Sequence, residues 1–366
     1  MLLPDSDGNY SVAMRVHTLT DTNRMDPYAS KHAGNHRSII TSIFWPVNRT
    51  SPCELEAVSY MPPATAAAYG QYAASMGLPV EIFSAIRLNF CRVDRDRNWY
   101  SNEKDVKYPL AVFSPGSGVS RLVYSGIARA LASRGYVTVT VDHPYDADIV
   151  EFPDGEVVFR TEIPADDSTR EMAIQVRSED LSFVVSQFHD APSRSVLTKG
   201  LPGKIDLSRI VAWGHSLGGA TAAQTMLQDD RIYAGANLDG RLSNNVLNKG
   251  LDNPFLLLGR ADDGSRDATW TQFWEVLGGL KVELALAGAK HGSFIDYALL
   301  VEALHLNDHY QSLLEPVLGT IAGTKMQNIV ADTLDGFFND VLHGNGGLAN
   351  AVKKYSEVTE VNSTLS

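Results

Sequence analysis

Short apolar runs that end in glycine and polar residues recur along the chain and alternate with stretches of helical spacing. Residues 108–113 ("YPLAVF") form one such run and stop at "SPGSG" (114–118), which predicts a buried strand and a tight loop. Val123, Ile127, Ala128, Leu131 and Ala132 then share one helical face, closed by Gly135, and "YVTVTVDH" returns to a β-branched strand. This order is a βαβ unit, whose right-handed crossover makes the strands parallel and puts helices on the faces.

The unit repeats. After a hairpin predicted around Asp154-Gly155, a long helix carries Leu181, Val184, Val185 and Phe188 on one face. "RIVAWGHSLGGATAAQTML" reads as strand, sharp turn and helix, and apolar segments follow at "AGANLDG", "NPFLLLGRADD" and "KVELALAGAKHG". Each ends in polar and Gly residues, where an open α/β sheet presents its binding crevice. The first hundred residues differ: "YSVAMRVHTL" and "HRSIITSIFWPV" predict leading strands, and "MPPATAAAYGQYAASMGLP" a Pro-bounded helical insert. Its apolar residues at helical spacing read as core, with a lid over the site as the alternative.

Composition narrows the function. With 31 basic and 43 acidic residues the net charge is −12, so the clustered cations that nucleic acid requires are missing, and nucleic-acid binding is excluded. There is no apolar run of 18 residues, and "MLLPDSDGNY" has neither the basic nor the apolar part of a signal peptide, so the chain is read as cytosolic or as starting after a removed leader. Cys53 and Cys91 are too few for a zinc site and too far apart for a redox pair; they are either one disulfide or two unrelated thiols. No metal or cofactor is implied. Sequons at Asn9, Asn48 and Asn362 tilt toward secretion.

Gly214-His215-Ser216-Leu217-Gly218 fits G-x-S-x-G, the nucleophile elbow of α/β-hydrolases, and lies between a predicted strand and a small-residue helix. A serine hydroxyl needs a histidine to take its proton and donors already placed for the developing oxyanion. The Leu217 N–H is one donor, at the positive end of the helix; the loop "SPGSG" after the earlier strand is expected to supply the other through the Ser117 N–H. The fold orders its triad Ser, acid, His. His291 follows the last apolar segment and is the expected base, whereas His305, His309 and His343 lack a preceding strand and the other six histidines do not follow the serine. For the acid the residues leave two candidates, Asp239 in "NLDG" and Asp262 in "GRADD", 23 and 46 residues after Ser216.

The stretches "GHSLGGAT", "LDG" and "KHGSFID" resemble the platelet-activating-factor acetylhydrolase family of the α/β-hydrolase superfamily. The likeness extends through "FSPGSGVSRLVYSGIARALASRGY", "VDHPYDAD" and the late "AGTKMQNIVADTLDGFFNDVLHG", so it spans most of the chain. It implies Ser216 as nucleophile, Asp239 rather than Asp262 as acid, His291 as base, and the N–H groups of Leu217 and Ser117 as oxyanion donors. Family members often carry His-Gly-x-Gly in the oxyanion loop, and Pro115 stands in place of that His. Fungal relatives with a leader and a cysteine pair imply a Cys53–Cys91 disulfide and a secreted rather than a cytoplasmic protein.

The expectation is a serine esterase without cofactor, acting on short-chain or oxidised acyl groups of phospholipid-like substrates. Its partner is a small-molecule or lipid ester, and contact with a lipid surface stays open. Alternatives are a general carboxylesterase or cutinase-like hydrolase, a biosynthetic thioesterase, lactonase or acyltransferase, and a non-catalytic binding protein. The fold expected is a single α/β-hydrolase domain with a mostly parallel sheet between helices. It comprises N-terminal strands plus a helical insert (1–107), a catalytic core (108–305) and C-terminal helices and tail (306–366).

Overall fold

The computed structural model describes residues 1–29, 35–51, 53–92, 105–161, 166–261, 267–306 and 308–365. Its strands are β1 (Tyr10–Met25), β2 (His36–Asn48), β3 (Leu55–Ser59), β4 (Arg87–Cys91), β5 (Lys107–Ser114), β6 (Val137–Asp142), β7 (Ile149–Glu151), β8 (Val157–Phe159), β9 (Lys204–His215), β10 (Ile232–Leu238), β11 (Phe255–Arg260), β12 (Lys281–Leu286) and β13 (Val358–Ser363). Nine of them form one sheet in the order β1-β2-β6-β5-β9-β10-β11-β12-β13. The six strands from β6 to β12 run parallel, and β1, β2 and β13 add antiparallel edges. This is the α/β-hydrolase architecture expected, with the leading hairpin β1–β2 on one side.

Alternation along the central strands explains why both faces are covered. In β5, Ala111 and Phe113 join one apolar cluster while Leu110 and Val112 join the other, and Val211/Trp213 against Ile210/Ala212 repeat the split in β9. The helices Ser125–Ala132 and Gly323–His343 fill the first face, and Asp167–His189 and Leu217–Gln228 fill the second. The first cluster draws on residues from Leu3 to Val358.

Two segments differ from the sequence reading. Val358–Ser363, read as part of a tail, pairs with β12 as an edge strand; its burial is mostly solvent-facing, so no apolar alternation announced it. Residues 87–91, unassigned above, pair with β3 as a hairpin closed by a Cys53–Cys91 disulfide with Cα atoms 5.2 Å apart. The insert forms a helix, Pro63–Ser75, whose Ala66, Tyr69 and Ala73 are buried in the first cluster, and Tyr69 Oη accepts from the Ser120 N–H at 3.0 Å. That face is core, as expected. The hairpin predicted around Asp154-Gly155 is β7–β8.

Candidate active site

The apolar run of β9 ends at His215, and the chain turns at Ser216 with φ 56° and ψ −121° before entering the helix Leu217–Gln228. A non-glycine residue with positive φ is strained and is held there only by its surroundings. The two motif glycines show what holds it. A Cβ at Gly214 would lie 2.2 Å from the Gly218 carbonyl oxygen, and one at Gly218 would lie 1.9 Å from the Ser114 carbonyl oxygen at the end of β5. The spacing G-x-S-x-G is thus a packing requirement that presses the elbow onto the loop after β5.

Asp239 follows β10 and also has positive φ, 53°. Asn237 clamps this turn, accepting from the Gly240 N–H at 2.8 Å and donating to the Gly240 carbonyl at 2.7 Å; Trp270 Nε1 donates to the same carbonyl at 2.8 Å. His291 opens a 3-10 turn, His291–Phe294, beyond β12. The structure brings the three residues together. His291 Nε2 lies 3.0 Å from Ser216 Oγ, and His291 Nδ1 lies 2.6 Å from Asp239 Oδ2. Arg260, the last residue of β11, donates from Nε to the same carboxylate, 2.8 Å from Oδ2 and 3.1 Å from Oδ1. Burial pushes the Asp239 carboxyl up, but the hydrogen bond from His291 and the Arg260 charge outweigh it and hold it below the usual carboxylate range. The other acid candidate, Asp262, lies outside the described residues.

Ser117 and Leu217 line, with Ser216, a cavity of about 360 Å³ whose walls also include Arg160, Arg170, Ala173 and Arg241. Neither the Ser117 nor the Leu217 N–H donates to a backbone carbonyl among the described residues. The Gly116 N–H donates to Tyr124 Oη at 3.1 Å, and Tyr124 Oη lies 2.8 Å from His215 Nδ1. Burial, together with the adjacent His291, pushes His215 down to about 3, so its ring is neutral beside Tyr124 Oη. Ser216, Ser117, Asp239, Arg260 and His291 each sit at the C-terminal end of a parallel strand or in the loop just beyond. Among the described residues no group of three or more His, Cys, Asp or Glu is disposed to hold a metal ion.

This arrangement can be compared with known proteins. The family described as platelet-activating factor acetylhydrolase, isoform II, matches residues 2–307. The chain belongs to that family. A probable 1-alkyl-2-acetylglycerophosphocholine esterase of Arthroderma benhamiae is 30% identical over 376 residues, which cover 98% of this chain and 93% of that protein. The platelet-activating factor acetylhydrolase of Cavia porcellus is 32% identical over 152 residues, 36% of this chain and 35% of its own. Among solved structures, a ferulic acid esterase from Streptomyces cinnamoneus superposes with a TM-score of 0.78 at 25% identity, covering 99% of both chains. The expected ester-bond hydrolase and the expected family agree with these relatives.

This acetylhydrolase-family chain contains a second Ser-His-Asp series that the sequence reading missed. His143 Nε2 lies 2.9 Å from Ser114 Oγ, and His143 Nδ1 lies 2.8 Å from Asp180 Oδ2. All three are buried, so the Ser114 hydroxyl meets no substrate and the series is a structural support beneath the Ser216 loops. Asp180 also pairs with the fully buried Arg37, at 2.7 Å from Nη2 and 3.1 Å from Nε. Burial raises the Asp180 carboxyl, and the charge of Arg37 with the His143 hydrogen bond overcomes it, leaving it far below the usual range.

Asp180→Asn takes from the buried Arg37 one of its two carboxylate partners, leaving Asp26 at 2.9 Å from Nη1, and also removes a partner of Arg24, so urea unfolding is expected to show a loss of about 3 kcal/mol, the lower end for breaking a buried pair. The folded carboxyl titrates below the unfolded one, near 3.9, so the stabilisation is whole above that pH and drains away as pH falls toward the folded value. The variant should lack that part of the acid dependence. A loss under about 1 kcal/mol, the scale of an exposed pair, would show that the pair contributes little.

Proposed function

We propose that the protein is a serine esterase that cleaves carboxylic esters through an acyl-enzyme on Ser216, with short or oxidised acyl groups of phospholipid-like substrates as its preferred class. The unbroken series Ser216 Oγ, His291, Asp239, with separations of 3.0 and 2.6 Å, carries this reading. His291 Nε2 takes the proton as Oγ attacks the carbonyl carbon, and the N–H groups of Leu217 and Ser117 meet the oxyanion. Collapse of the tetrahedral intermediate expels the alcohol with the proton from Nε2. Water, deprotonated by the same nitrogen, then releases the acid and restores Ser216. Asp239 stays ionised throughout, holding Nδ1–H and the imidazolium charge.

The name of the fungal relative, an esterase of a 2-acetyl phospholipid matched along nearly its full length, supports the short acyl group. The ferulic acid esterase likeness favours a second reading, a general carboxylesterase. Secretion belongs to the first reading and is supported by the Cys53–Cys91 disulfide, since such bonds persist in oxidising compartments.

Comparing kcat/KM across 2-acetyl, 2-butyryl and 2-octanoyl phosphatidylcholines and methyl ferulate separates the readings. The acetyl substrate is expected to lead the octanoyl one by about tenfold or more, with a fluorophosphonate labelling Ser216 and nothing else. Fastest turnover of methyl ferulate would move the assignment to the general carboxylesterase.

A further inference from the structure

The helix Asp167–His189 buries Leu181, Val184 and Phe188, and the same stripe continues toward its N-terminus through two buried charged residues, Arg177 and Asp180. A buried guanidinium is costly unless its donors are matched. Arg177 has five N–H donors, and the structure provides an acceptor for each. Nε donates to Asp146 Oδ2 at 2.7 Å, and Nη2 donates to Asp146 Oδ1 at 2.6 Å and to the Gly116 carbonyl at 3.2 Å. Nη1 donates to the Pro115 carbonyl at 2.6 Å and to Ser114 Oγ at 3.5 Å. The last residue of β5 and the first two of the loop after it therefore converge on one side chain.

Geometry makes that convergence directional. The Gly116 carbonyl and the Ser117 N–H belong to one planar trans peptide, so they point in opposite directions. Fastening the carbonyl to Arg177 turns the Ser117 N–H away from the guanidinium. The preceding peptide displays the same division at both ends, with the Pro115 carbonyl on Arg177 and the Gly116 N–H on Tyr124 Oη.

We infer that Arg177, braced by Asp146, is a positioning residue that aims the Ser117 N–H at the oxygen that becomes anionic when Ser216 attacks. The inference deepens the esterase reading and rests on it. Lysine cannot substitute, because a point charge with three donors does not match five acceptors in a planar fork.

The test compares Arg177→Lys with the double variant Arg177→Met, Asp146→Leu, which removes the buried pair together and leaves no unpaired charge to unfold the protein. Both are assayed on p-nitrophenyl acetate and against a trifluoromethyl ketone, which adds to a serine to give a tetrahedral oxyanion. Loss of one aligned donor is expected to lower kcat/KM about 10²–10³-fold. KM should change by less than about threefold, and the ketone Ki should rise in parallel with the loss. A merely structural role would leave the ketone and the ground state weakened alike, and that outcome overturns the inference. So does a folded variant with parental kcat/KM. Ser216→Ala in the same series keeps the failures apart: if it retains activity, the esterase reading and the inference both fall; if it is inactive while Arg177→Lys is parental, only the inference falls.

Discussion

Ser216→Ala is expected to lower kcat for p-nitrophenyl acetate by about 10⁵–10⁶-fold, leaving only the rate that binding and the oxyanion donors sustain without a nucleophile. The size follows from the absence of a substitute nucleophile with an accessible base among the described residues of the cavity. Ser117 is the other serine that lines the cavity, but its hydroxyl faces Arg160 Nη2 at 3.4 Å, a cation that cannot take its proton. Ser114 has its own histidine yet is sealed in the interior. The helix Leu217–Gln228 begins one residue later whatever side chain stands at 216, so the variant should keep its fold and its melting temperature. Hydrolysis within about tenfold of the parent would remove Ser216 from the chemistry, and the fluorophosphonate label would then have to be found elsewhere.

What could be read from the sequence is what depends on local pattern. The elbow was legible because three local signals coincide there: a β-type run, two glycines and a small-residue helix. His291 was legible because the strand order of the fold brings the loop after β12 back to the elbow. Arg260 and Tyr124 were not, since each acts through a partner distant in sequence: Asp239 is 21 residues from Arg260, and His215 is 91 from Tyr124. Arg177 did leave a trace. It lies four residues before Leu181 and seven before Val184, so a charge falls on an apolar stripe where burial without partners would be prohibitive. Local rules broken in this way point to a functional or compensated position. The compensation here is the Asp146 carboxylate together with the Pro115 and Gly116 carbonyls. Strand β13 was illegible for the opposite reason: an exposed edge needs no apolar face.

The largest effect after the serine is expected at the acid, and it decides between the two candidates. Asp239→Asn should lower kcat by about 10⁴-fold. The fold should survive, since asparagine tolerates the positive φ of 53° and can still accept from Arg260. The damage is to the tautomer. An amide facing His291 Nδ1 donates a proton where the carboxylate accepted one, so the ring keeps its own proton on Nε2 and cannot take the one from Ser216 Oγ. Loss of the Asp239 charge also removes a group that offsets the Arg260 guanidinium beside the imidazolium that must form. Because the Asp239 carboxyl titrates below the usual range, the parent should show no loss of this support on acidification to about pH 5. Asp262→Asn is expected to stay within about threefold of the parent, because His291 Nδ1 already has Asp239 as its partner. A larger loss at Asp262 than at Asp239 would reverse the assignment and leave the 2.6 Å contact as a structural pair.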